Sequence, residues 1–237
     1  MPMHDWTKAE PGTFHSFHLL WIAALATELN RILPKGFYAL GEKFMGSGEA
    51  DVLALSYDPP NRDGGTVLLT APPAAKLMEV ADEEAHLAYK ANRVVVRFRD
   101  KTVVAAVEIV SPGNKSNKRA FRKFLSKSVG LINRGVHLLV VDPFPPGRRD
   151  PDGIHCAIWD HFNPTSAFQY APDKNRILAS YDADAVPRAF VETLGVGDEL
   201  KEMPLFLLPG QYINVPLEKT YMQTWDVFPE AVRIEVE

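Results

Sequence analysis

Cysteine is almost absent from this chain: Cys156 is the only one in 237 residues. An intrachain disulfide framework is thereby excluded, and so is any zinc site built from paired cysteines. Long apolar runs are also missing. The most apolar segment, Phe14 to Leu33, is interrupted by His15, His18, Glu28, Asn30 and Arg31. That pattern predicts a buried or amphipathic helix rather than a membrane span. The start, MPMHDWTKAEPG, lacks the basic-then-apolar order of a secretory leader. A cytoplasmic protein that does not enter membranes is expected. Several nucleotide and hydrolase signatures are missing too. The chain has no Walker loop, no Rossmann glycine pattern, no HExxH and no GxSxG.

Acids are absent from one stretch. Between Glu108 and Asp142 there are seven bases and no carboxylate. They are Lys115, Lys118, Arg119, Arg122, Lys123, Lys127 and Arg134. The whole chain carries −4, so the rest balances at −11. A basic island on an acidic body results.

The island sits inside the most ordered pattern of the sequence. Thr102 to Pro143 reads TVVAAVEIVSPGNKSNKRAFRKFLSKSVGLINRGVHLLVVDP. An apolar run ends near Glu108, a Ser111-Pro112 turn follows, and a second apolar run ends on Asp142. The spacing predicts a helix over 116–133, with Phe121, Phe124, Leu125, Ser128 and Ile132 on one face. Arg119, Lys123 and Lys127 recur at i, i+4 on another. Strand, turn, helix, strand is an α/β unit, and ligands of open α/β sheets gather at the C-terminal ends of the strands.

Elsewhere the reading is coarser. Thr13 is placed as the cap of a helix reaching about Leu33, stopped by Pro34 and Gly36. Strands are predicted at 37–42 and 51–56, a turn at 45–48, a loop at 58–73 and a helix over 79–90. A hairpin is predicted from 94–98 and 103–110. Beyond Asp142, strands are expected at 154–160 and 177–181. Helices are expected at 187–194 and 217–227, the last after a proline-punctuated tail. Without a flexible linker the chain is expected to be a single domain over 1–237. Its core spans about 13–143, and 144–237 extends the same sheet.

Two acids on adjacent strands form the smallest hard-oxygen cage for a divalent cation. Asp51 opens one predicted strand and Glu108 nearly ends another. Glu49, two residues before Asp51, falls on the same face of an extended strand, and Glu42 belongs to the strand before. The basic row Lys118, Arg119, Arg122, Lys123 and Lys127 has the composition that binds nucleic-acid phosphates. It would equally serve as a solvated helix face. His4, Asp5, His15 and His18 form a further cluster. His15 and His18 share a helix face at i, i+3 and, with His4 or Asp5, have the chemistry of a transition-metal site. The commoner role for aromatic and His residues near a chain start is to pin it to the body.

The order helix, strand, strand opening in Asp, strand carrying Glu, helix, strand resembles the PD-(D/E)XK nuclease superfamily. VEIVSP, the basic helix and GVHLLVVDP are similar to the Uma-type family of endonuclease-like bacterial proteins. HDW at the start and VPLEKTYMQTWDVFP near the end extend a likeness over nearly the full length. It is to an uncharacterised bacterial family, domain of unknown function number 4058, which brings no activity with it. The nuclease resemblance implies a mixed central sheet flanked by helices and metal-dependent phosphodiester hydrolysis. It implies Mg²⁺ or Mn²⁺ at Asp51 and Glu108, with Glu49 or Glu42 as auxiliary ligands, and a nucleic-acid partner. This sequence departs from the pattern. Val110 stands where lysine is expected, Ala50 precedes Asp51, and 57 positions separate Asp51 from Glu108. A relocated lysine is sought at Lys115 first, then Lys118. The rival expectation is a fold-retaining module that binds nucleic acid or a protein without cleaving it. The valine-rich strands or the N-terminal cluster could serve a homodimer.

Overall fold

A computed structural model describes residues 3–41, 52–56, 77–80 and 102–236. The first helix, α1, covers Pro11–Ile32 and begins two residues before the predicted cap, with Pro11 in its first turn. Proline fits there because its missing N–H would have no helical partner. Phe14, Phe17, Trp21, Leu25 and Leu29 recur at helical spacing, and all are buried.

Among the described residues, seven strands form one mixed sheet. In chain order they are β1 (Phe37–Leu40), β2 (Val52–Ser56), β3 (Leu77–Val80), β4 (Val103–Ile109), β5 (His137–Asp142), β6 (Arg176–Asp182) and β7 (Arg188–Leu194). Their spatial order is β1-β2-β4-β5-β6-β7-β3. Only β4 and β5 run parallel; the other neighbours are antiparallel. The parallel pair is joined by a short helix α2 (Pro112–Lys115) and a long one, α3 (Lys118–Asn133). Such a crossover is what parallel neighbours require. Strands β6 and β7 pair onward from β5, so the C-terminal part extends the same sheet. A separate hairpin, β8 (Met203–Leu208) and β9 (Gln211–Val215), lies in the stretch read only as a tail.

Each sheet face carries its own apolar layer. One joins Ala106, Val110, Leu138 and Val140 to Phe121, Phe124 and Ile132 of α3. It continues to helix α4 (Gly153–Trp159). The other joins Val107, Ile109, Leu139 and Val141 to α1, the hairpin, and helix α5 (Leu217–Val227). A last helix, α6 (Glu230–Val236), follows. Because strands β4 and β5 are covered on both faces, they read as continuous apolar runs rather than alternating ones. No helix among the described residues is long and apolar enough to cross a membrane.

Three sequence expectations fail. Residues 154–160, expected as a strand, form α4. Ile154, His155, Ile158 and Trp159 are buried at i, i+1, i+4, i+5, which is a helical face. Gly153 enters that helix at φ 85°, with the Tyr170 ring against its Cα. Residues 187–194, expected as a helix, form β7, whose Phe190, Val191 and Thr193 suit a strand held between two neighbours. Glu79 and Val80, expected to begin a helix, belong to β3. The expected turn at 45–48, loop at 58–73 and strand at 94–98 lie outside the described residues.

Candidate active site

The site is the C-terminal end of the parallel pair. Glu108 lies opposite Val140, and Asp142 lies two residues beyond Val140. Side chains alternate along a strand, so both carboxylates point to the α3 face. Both are buried, with 2% exposure each. Two buried carboxylates need compensation, and each has a lysine.

The amine beside Glu108 belongs to Lys127, whose Nζ donates to Oε2 at 2.6 Å. Its position in α3 explains the reach. Asn117 caps the helix by accepting from the Ala120 N–H at 2.9 Å. Phe121, Phe124 and Ser128 then face the sheet, and Lys127 sits beside them. Its stem lies over Phe124, with Nζ 5.6 Å from the ring centre. Gly135, at φ 75°, ends the helix so that Val136 N–H returns to Leu131 O, and β5 begins at once.

Lys115 does not serve Glu108. Nearness along the chain suggested it, but α2 turns its amine toward β5. There Nζ meets Asp142 Oδ2 at 2.6 Å and Asp150 Oδ2 at 2.7 Å, with Pro145 O at 3.4 Å. The Ser-Pro turn sets this direction. Pro112 opens α2, and Ser111 N–H and Oγ both donate to Asn114 Oδ1, at 2.8 and 3.0 Å. Asp142 Oδ1 accepts from Phe144 N–H, and Asp150 Oδ1 from Gly147 N–H. Arg149 donates to Lys115 O at 3.0 Å. The hub therefore ties α2, the end of β5 and the 143–150 turn together. Burial pushes the Asp142 carboxyl up to about 6, against the pull of Lys115. Burial alone would lower the Lys115 ammonium, but its two aspartates hold it above its ordinary value.

Of the basic row, Lys118, Arg119, Arg122 and Lys123 are exposed on α3 and form no ion pair among the described residues. Lys127, counted with them from its spacing, instead turns inward to Glu108. Lys118, the second candidate for the relocated amine, faces solvent. Asp51, Glu49 and Glu42 lie outside the described residues; Val52, next to Asp51, pairs with Val107. Among the described residues no group of three or more His, Cys, Asp or Glu is placed to hold a metal. Glu108 supplies one hard-oxygen donor, and the acids expected to complete a set precede Val52.

The N-terminal histidines take structural places. His4 is buried, stacks on Trp225 at 3.4 Å between ring centres, and shares a 2.7 Å hydrogen bond with Tyr221 Oη. Trp6 Nε1 donates to the same oxygen at 3.0 Å. His18 is buried and stacked on Phe14, while His15 is exposed. Asp5 pairs with Arg176 at 2.9 Å.

Sequence reading missed Asp150 as the second acid on Lys115. No spacing rule pointed to it; the turn places it, with Asp150 Oδ1 accepting from Gly147 N–H at 2.9 Å. Comparison with family models, curated proteins and solved structures returned no match.

Proposed function

We propose that this chain is a PD-(D/E)XK-type phosphodiester hydrolase in which Lys127 has taken the place of the missing strand lysine. The observation that carries the reading is the 2.6 Å contact between Lys127 Nζ and Glu108 Oε2. It occurs at the C-terminal end of a strand parallel to its helix-connected neighbour. The order α1, β1, β2, β4, α3, β5 supports the same reading. In phosphodiester hydrolysis a water oxygen bonds to phosphorus while the bond to the leaving oxygen breaks, and negative charge grows on the phosphoryl group. Bound Mg²⁺ or Mn²⁺ would neutralise that charge and activate the water. Glu108 and Asp51 would be its ligands, with Glu49 or Glu42 auxiliary. Lys127 holds a positive charge at the carboxylate and would face a phosphoryl oxygen once Glu108 turned to a cation.

The test is calorimetric titration of Mn²⁺ and Mg²⁺, paired with cleavage of labelled DNA and RNA. Wild type should bind the ions and cleave. Glu108→Gln should lose both, and Lys127→Met should lose cleavage while still binding metal. Cleavage that survives both changes would sink the assignment. A second reading, a non-cleaving binding module, is favoured by the four exposed bases of α3. Salt-sensitive nucleic-acid binding without any metal-dependent cleavage would select it.

A further inference from the structure

A second pair of exposed bases stands beside the row on α3. Gly147 to Asp150 is a tight turn. Asp150 N–H donates to Gly147 O at 3.2 Å, and Gly147 N–H donates to Asp150 Oδ1 at 2.9 Å. Arg148 and Arg149 occupy its two central positions, and both are exposed. The turn is fixed from beneath. Asp150 is buried with its Oδ2 2.7 Å from Lys115 Nζ, and Arg149 donates to Lys115 O at 3.0 Å. A backbone already fixed loses less freedom when its side chains meet a partner.

Lys115 joins this tip to α3, which begins three positions later. There Lys118, Arg119, Arg122 and Lys123 follow at i, i+1, i+4 and i+5, so they share one side of the first two helical turns. Six exposed bases thus stand on two elements tied together at Lys115, at the sheet end that holds Glu108. They form no ion pair among the described residues. The chain has no acid between Glu108 and Asp142, and the exposed carboxylate nearest the turn in sequence is Asp152.

What this surface omits points to the form of its partner. Phe121, Phe124 and Phe144 are the aromatic residues of α2, α3 and the 143–150 segment, and all three are buried. None of the large apolar side chains exposed among the described residues lies on these elements. Amphipathic membrane helices need an apolar face beside the basic one. Single-stranded nucleic acid is held by bases stacked on aromatic side chains. With neither device, a surface of lysine and arginine alone suits the regularly spaced phosphates of a duplex.

We infer that the outer side of α3 and the Gly147–Asp150 turn form one docking surface for double-stranded nucleic acid, which it grips by the phosphate backbone without reading sequence. Arg148 and Arg149 contact phosphates at its tip. The inference rests on the nucleic-acid reading of this sheet end, and adds to it the form of the partner and two residues that hold it.

The test is a fluorescence-anisotropy titration of the full chain in EDTA, where metal and cleavage play no part. The probes are two labelled DNA duplexes of unrelated sequence, an RNA duplex, one of the DNA single strands, and vesicles of phosphatidylglycerol. Wild type should bind at least one kind of duplex more tightly than the single strand, and the two DNA duplexes alike. Arg148→Gln with Arg149→Gln should weaken duplex binding and lower the slope of log affinity against log salt by about 1.8, for two phosphate contacts at roughly 0.9 each. Arg148→Gln alone should lower it by about 0.9. Arg148 makes no side-chain hydrogen bond to the hub, so this single variant keeps the test sound even if Arg149→Gln loosens the turn. The inference is overturned if no duplex binds, if both variants keep the wild-type slope, or if the single strand or the vesicles bind as tightly as the duplex. A tenfold difference between the two DNA duplexes would overturn it as well. Duplex binding of the expected kind without cleavage in Mg²⁺ or Mn²⁺ would refute the hydrolase reading alone. Cleavage by a double variant of unchanged duplex affinity would refute the docking surface alone.

Discussion

Lys127 and Glu108 stand 19 positions apart in the chain and 2.6 Å apart in space, with their side chains 14% and 2% exposed. A pair this buried is costly to break from one side, because the survivor keeps its charge without its partner. Lys127→Met should therefore destabilise the fold by about 3–5 kcal/mol. Replacing both, Lys127→Met with Glu108→Leu, should recover most of that loss, since Phe121, Phe124, Ala106 and Val110 already make the surroundings apolar. Urea unfolding of the two singles and the double would close the cycle. A loss under about 1 kcal/mol for Lys127→Met would mean the pair is worth no more than a surface contact.

That pair also marks the limit of sequence reading. Glu108, Asp142 and the intervening helix were legible because two buried apolar strands and one amphipathic helix have different periods. Which lysine meets which acid was not legible. Lys115 is seven positions from Glu108 yet is carried to Asp142 by the turn at Ser111 and Pro112. Lys127 lies about two and a half turns into α3 and returns over Glu108, because α3 runs back antiparallel to the strand. Short apolar runs failed for another reason. At 154–160 and 187–194 the run is too brief for periodicity to separate helix from strand, and sheet pairing or a glycine decides. The β8–β9 hairpin was hidden by Pro204 and Pro209, which read as breakers but sit within a strand or its turn.

The outer face of α3 makes a separable prediction. Lys118, Arg119, Arg122 and Lys123 are exposed and contribute little to folding. Changing all four to glutamine should leave unfolding within about 1 kcal/mol of wild type. If they contact phosphates, wild-type affinity for a nucleic-acid duplex should fall by about 100-fold between ~50 and ~200 mM salt. The quadruple variant should lose both affinity and that slope in a fluorescence-anisotropy titration. An unchanged slope would assign the row to solvation alone.

Tyr221 joins three parts of the chain through one oxygen. His4 Nδ1 and Trp6 Nε1 both reach it, at 2.7 and 3.0 Å, while its ring packs against Trp21 and Phe17. Its phenol is held protonated, raised by burial above the usual tyrosine range. Tyr221→Phe keeps the ring and removes the oxygen, leaving a buried indole N–H and an imidazole nitrogen without that partner. A loss of about 1–3 kcal/mol is expected in thermal or urea unfolding. A neutral effect would show that the N-terminal segment does not rely on this oxygen.

Acid should act on this fold in two opposing ways. Burial, with a smaller push from the chain's N-terminal amine, lowers His4 from 6.5 to about 4. An unfolded chain then binds a proton that the native state refuses, so His4 costs stability as pH falls from about 6.5 toward 4. Asp142 has the opposite sign. Its carboxyl rises from 3.8 to about 6 through burial, so the native state takes a proton first. Asp142 thus adds stability as pH falls from about 6 to 4, and withdraws it as pH rises through 6. Each shift corresponds to roughly 3 kcal/mol, so the two nearly cancel across that window. Wild type should therefore show a shallow stability profile between pH 6.5 and 4. Asp142→Asn should steepen the loss on acidification, and His4→Gln should turn it into a gain. Chemical unfolding at stepped pH reads all three slopes. Parallel profiles for wild type and Asp142→Asn would show that Asp142 takes up no proton in this range.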